Sequence, residues 1–87
     1  MFGKRSESSA QFTLAGGYNS KANHYNSIAI GDNVSTSAAN QIVFGSYNDN
    51  QSGASFIIGN GSAETARSNL LEFGSNSSTL YSTTLNL

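Results

Sequence analysis

The chain has one histidine, His24, so any chemistry that needs an imidazole must use it. A Ser-His-Asp relay requires that ring to meet a carboxylate and a nucleophile. Asp32 and Asp49 lie further along the chain at spacings that assemble no such group. A lone histidine can bridge symmetry copies of itself around an ion. His24 sits instead in a polar stretch, Ala22-Asn23-His24-Tyr25, which reads as a solvent-facing turn. Gly59-Asn60-Gly61 has the glycines of a phosphate loop, but no helical pattern follows to offer its N-terminus to an anion. The absence of cysteine removes thiolate metal sites and disulfides together. The expectation is a chain with no catalytic residues, no metal ligand set and no cofactor, which is not an enzyme.

What remains is chemistry suited to contact. Tyr18, Tyr25 and Tyr47 can stack on sugars or anchor a protein partner, which makes them candidate receptor contacts. They can equally lie flat over small neighbouring residues. Arg67 has Glu64 and Glu72 close by in sequence, and reads as a structural ion pair or, alternatively, a receptor contact. Asn33, Asn50, Asn60 and Asn76 each open an Asn-x-Ser sequon, as chance and turn chemistry explain in a chain so rich in both residues.

Composition narrows the classes further. With four Lys plus Arg against five Asp plus Glu in 87 residues, there is no basic face to release counterions from nucleic acid. No apolar run is long enough to insert in a membrane. Pro is absent, and Ser, Asn, Gly and Thr are abundant. Such composition often signals disorder. The apolar residues, however, cluster as Ile28-Ala29-Ile30, Ile42-Val43-Phe44 and Phe56-Ile57-Ile58, each followed by Gly, as strands ending at turns are.

Those glycines mark the elements that must position everything else. Gly3, Gly17, Gly31, Gly45 and Gly59 are spaced by 14 residues, and Gly74 follows after 15. Repetition at fixed spacing defines the architecture. Gly at position 1 of each unit is read as the turn residue, with Asn and Ser favoured at positions 3 and 4. Position 6 is small in Ser8, Ala22, Thr36 and Thr79. Positions 12 and 14 carry Ile28 and Ile30, Ile42 and Phe44, Phe56 and Ile58, Leu85 and Leu87. A unit this short fits two strands and two turns, one coil of an all-β solenoid, with coils stacked about 4.8 Å apart.

Neighbouring side chains of a strand face opposite ways. Ile42-Val43-Phe44 and Phe56-Ile57-Ile58 are therefore apolar on both faces, and one coil has only one interior. The expectation is that positions 12 and 14 fill the coil, while Ala29, Val43 and Ile57 face a second chain. Residues 1–73 are read as the coil array and 74–87 as a junction or the start of a following β-module. The extra residue before Gly74, and the alternation of Leu80-Tyr81-Ser82 and Leu85-Asn86-Leu87, mark that change.

The unit GYNSKANHYNSIAI resembles the 14-residue repeat of trimeric autotransporter adhesin heads, through Asn-Ser after Gly, a small residue at position 6 and Ser-Ile-Ala-Ile before the next Gly. The likeness is good over residues 17–58 and looser at both ends, with Lys4-Arg5-Ser6-Glu7 departing from it. The segment FIIGNGSAETARSNLLEF is similar to one found in phage and prophage tail-fibre proteins, through Gly59-Asn60-Gly61-Ser62 and Ala66-Arg67-Ser68-Asn69. These resemblances imply a left-handed β-roll assembled as a parallel homotrimer, with other fibre modules at both ends. They imply a virion appendage that carries or forms a host-binding element, contacting a host surface glycan or protein. The alternative is an adhesin head on a bacterial cell surface that binds host matrix or cells.

Overall fold

In a computed structural model, described over residues 3–51, 53–74 and 78–80, every regular element is a β-strand. The strands are β1 (Glu7–Ser8), β2 (Leu14–Tyr18), β3 (Lys21–Ala22), β4 (Ile28–Asp32), β5 (Ile42–Ser46), β6 (Phe56–Asn60), β7 (Asn69–Phe73) and β8 (Ser78–Leu80). Strands β2, β4, β5 and β6 pair in parallel, each residue with the one 14 further on, as in Leu14↔Ile28, Ile28↔Ile42 and Ile42↔Phe56. On the other side of the coil β1 pairs in parallel with β3, and the ladder continues as a bridge from Lys21 to Ser35. The chain is a β-solenoid of about four turns.

The corners of the coils recur at a fixed interval. Arg5, Phe12, Asn19, Asn26, Asn33, Asn40 and Tyr47 all have positive φ and recur every seven residues. Each coil thus bends twice, at positions 3 and 10. Asn fits such a corner because a short polar side chain tolerates the left-handed region better than most. The corner amides also bind across coils: Asn33 N–H donates to Tyr18 O at 2.8 Å and Asn40 N–H to Tyr25 O at 2.9 Å.

This corrects the reading of the glycines. Gly17, Gly31 and Gly45 lie inside strands, two residues before the corner. They are required there by close approach and by backbone conformation. A Cβ on Gly31, whose φ is 149°, would stand 1.9 Å from Gly45 O. Gly3 shows the same approach to Gly17, whereas Gly59 keeps the spacing without a positive φ. Gly74 follows β7 and opens no parallel coil.

The interior is lined by two columns from each side. Positions 11 and 13 of the long side face positions 4 and 6 of the short side. Ala15, Ala22, Ala29, Val34, Val43 and Ile57 are fully buried and form one cluster. Ser20, Ser27, Gln41 and Asn48 are buried beside them. No buried side-chain N or O lacks a hydrogen bond among the described residues, as buried polar groups require.

The two faces are therefore exchanged relative to the sequence-based expectation. Ala29, Val43 and Ile57 fill the coil of their own chain and are unavailable to another. A coil this thin holds only small to medium residues, and the Ile and Phe side chains of positions 12 and 14 are turned outward. Burial of Val43 and Ile57 is worth about 1.5–3 kcal/mol each.

The roll also ends earlier than residue 73. After β6 the chain reverses through Ala63-Glu64-Thr65-Ala66, with Ala66 N–H donating to Ala63 O at 2.9 Å. Strand β7 returns antiparallel to β6, with a register shift between Ile58 and Gly59. Strand β8 is antiparallel to β7 on the same chain, so residues 78–80 have left the parallel stack. The remainder of the expected module, 75–77 and 81–87, lies outside the described residues.

Candidate functional site

Two surfaces of the roll stand apart in their chemistry. The first is the outer face of the six-stranded sheet. Leu14, Ile28, Ile42, Phe56 and Phe73 follow one another across its strands in register. Beside them run Ile30, Phe44, Ile58, Leu71 and Leu80. The antiparallel β7 and β8 thus continue the columns begun by the parallel coils. Phe44 and Phe56 meet edge to face at 5.9 Å between ring centroids, and Phe56 and Phe73 at 6.2 Å. Leu14, Phe44, Phe73 and Leu80 are each about 40% exposed. A continuous apolar stripe of this kind marks an interaction surface.

The second surface lies on the short-strand side and is polar. Its organiser is Arg67, in the loop between β6 and β7. Arg67 Nη1 donates to Asn33 O at 3.0 Å and to Asn48 O at 3.1 Å, so it ties two successive coils together. Its Nε and Nη2 donate to the Glu64 carboxylate at 3.3 and 3.0 Å. The guanidinium lies 5.6 Å above the Tyr47 ring, a cation–π arrangement. The hydrogen bonds from Arg67, and its charge, hold the Glu64 carboxyl below its ordinary range. Of the two readings of Arg67, the structural ion pair is the one formed, and it pins the loop back against the roll.

Stacked amides line this side. Asn19 Nδ2 donates to Asn33 Oδ1 at 2.6 Å, and Asn33 Nδ2 donates to Tyr47 Oη at 3.1 Å. Asn48 is buried and binds the backbone of Ser35 with both ends of its amide: Ser35 N–H donates to Oδ1 at 2.8 Å, and Nδ2 donates to Ser35 O at 3.0 Å. Asn69 repeats this one coil later on Asp49, accepting from Asp49 N–H at 2.8 Å and donating to Asp49 O at 3.3 Å. Asn69 Nδ2 also donates to Glu72, which sits opposite Ile57 at the end of the core.

The sequence-selected residues are spread over the roll and not gathered. Tyr47 is taken up by Asn33 and Arg67. Tyr25 is 48% exposed and packs edge to face on Phe12 at 5.7 Å, and Tyr18 is 42% exposed at the first strand of the long sheet. His24 Nδ1 lies 3.0 Å from Thr36 Oγ1 in the next coil. Among the described residues no three His, Asp or Glu side chains converge to hold a metal ion. Sequence reasoning missed the buried amides and the outward turn of positions 12 and 14. The Ala15–Ala29 column was the available signal for the latter, since side chains that small suit a thin interior. No family model, curated protein or solved structure matches the chain.

Proposed function

We propose that this chain is a structural segment of a trimeric phage fibre, with no catalytic role, that carries or forms a host-surface-binding element. The observation that supports it best is the outer apolar face of the six-stranded sheet. It spans every coil and continues over β7 and β8. Further copies of the same chain, lying parallel, would cover it along its whole length with identical columns. The likeness of residues 17–58 to trimeric adhesin heads supports three copies and a left-handed roll. The likeness of residues 56–73 to tail-fibre proteins supports a virion over a bacterial surface. Fibre modules at both ends would shield the open strand edges, which otherwise invite pairing.

The alternative function is the head of a bacterial trimeric autotransporter adhesin. The same roll and the same apolar face support it, and the host-binding surface would then be the roll itself.

Native mass measurement tests the assembly. Three chains are expected, and a stable folded monomer at micromolar concentration overturns it. Antibodies against this segment test the setting. Labelling of virion appendages is expected, and labelling confined to the bacterial surface overturns the phage reading in favour of the adhesin.

A further inference from the structure

Beside the Arg67-pinned loop the short-strand side holds a groove of about 310 Å³, at the lower end of the range for ligand clefts. Its floor includes Ser35 and Thr36 of the third coil. Lys21 and Asn23 of the second coil form one wall, and Glu64 and Arg67 form the other. From the structure we infer that this groove binds a neutral saccharide. The inference deepens the host-attachment reading and rests on it for its biological setting.

Two features carry it. The first is the chemistry of the walls. A sugar hydroxyl both donates and accepts, so its best host offers both roles at close quarters. Lys21 and the Asn23 amide bring donors, Glu64 brings a carboxylate, and Ser35 brings a hydroxyl. Among the described residues the Lys21 ammonium and the Asn23 Nδ2 make no hydrogen bond, while Asn23 Oδ1 accepts from Ser9 at 2.8 Å. Other ligands fit less well. Arg67 and Glu64 neutralise each other, which leaves one cation, too few for a polyanion. The lining has no aromatic ring and no exposed aliphatic side chain to hold an apolar ligand.

The second feature is preorganisation. Arg67 holds the wall loop over the coils by two hydrogen bonds to the Asn33 and Asn48 carbonyls and a contact with the Tyr47 ring. A wall fixed before binding spares the ligand the cost of ordering it. The groove also lies across the core from the apolar sheet, so an assembly sealed through that sheet leaves it open.

The test is titration calorimetry on the whole chain with a panel of neutral linear tetrasaccharides, covering α- and β-linked hexoses and N-acetylhexosamines. Saturable binding to at least one is expected. Lys21→Ala and Asn23→Ala, both at exposed positions, are each expected to weaken it about tenfold, and Phe12→Ala, outside the groove, to leave it unchanged. Circular dichroism on each variant confirms the fold. No binding across the panel, or binding that survives both groove substitutions, overturns the proposal. Native mass on the same samples separates it from the assembly. Three chains without binding remove the groove alone, and one chain that binds removes the trimer alone.

Discussion

The side-chain amide of Asn48 occupies the place of a backbone rung on Ser35, accepting from its N–H at 2.8 Å and donating to its C=O at 3.0 Å. The short-strand ladder would otherwise stop at the Lys21–Ser35 bridge and leave both groups of Ser35 unpaired at the edge of the core. Asn69 does the same for Asp49.

Asn48→Ala is expected to destabilise the fold by roughly 2–4 kcal/mol, because a buried donor and acceptor lose their partners together. Asn48→Leu, which restores volume without hydrogen bonds, should not recover the loss. Denaturant unfolding of the three proteins decides this. An unchanged midpoint for Asn48→Leu would mean that packing, and not the amide, holds this edge.

The exchange of faces gives a paired test. Val43→Lys places a charge in the coil interior without a partner and is expected to abolish folding. Phe44→Lys, one residue on and 38% exposed, should keep the β-sheet circular-dichroism spectrum. It should also break any assembly made through the outer sheet. Spectra combined with light scattering separate the outcomes. Loss of fold in both variants would contradict the alternation described for β5.

Gly45→Val should be strongly destabilising. Its φ of 109° disfavours a β-branched residue, and the added carbon would meet Gly59 O at 2.2 Å. Gly53 has no atom within 4 Å of a built Cβ, so Gly53→Ala should change stability by less than about 0.5 kcal/mol. Thermal melts of the two variants are sufficient, and equal tolerance would refute the close stacking of Gly45 on Gly59.

The Arg67–Glu64 pair predicts an acid dependence of loop order. Glu64 titrates below its unfolded value in the folded chain because Arg67 binds its charged form. The contribution is therefore complete above the ordinary glutamate pKa and is lost as pH falls through the lowered one. Glu64 is exposed, so the effect on global stability is small. Carboxyl NMR titration should give Glu64 a midpoint below that of free glutamate, returning toward it in Arg67→Ala. No difference between the two proteins would show the pair to be unformed in solution.

The coil itself was legible because Gly17, Gly31 and Gly45 sit where stacked backbones touch, which only one residue type permits. The faces were not legible, since Ile42-Val43-Phe44 is apolar on both sides and alternation alone does not say which side is inward. The end of the roll was hidden for a related reason. Leu70-Leu71-Glu72-Phe73 looks like another coil strand, and only its antiparallel pairing with β6 shows that the chain has reversed. Asn48 reads as a turn residue because most Asn in such sequences are one. Its burial depends on a neighbour, Ser35, a full coil away.

The recurrence of left-handed corners every seven residues makes each coil two near-equal halves. Gain or loss of a whole unit therefore lengthens or shortens the rod by one step and leaves its cross-section and every contact column intact. Loss of half a unit would be a different event. It would slide long strands onto the short side, carrying the outward Ile and Phe to the polar face of the rod and interrupting the apolar columns of the sheet. The fold itself thus filters changes in repeat number, so that reach changes in whole increments only.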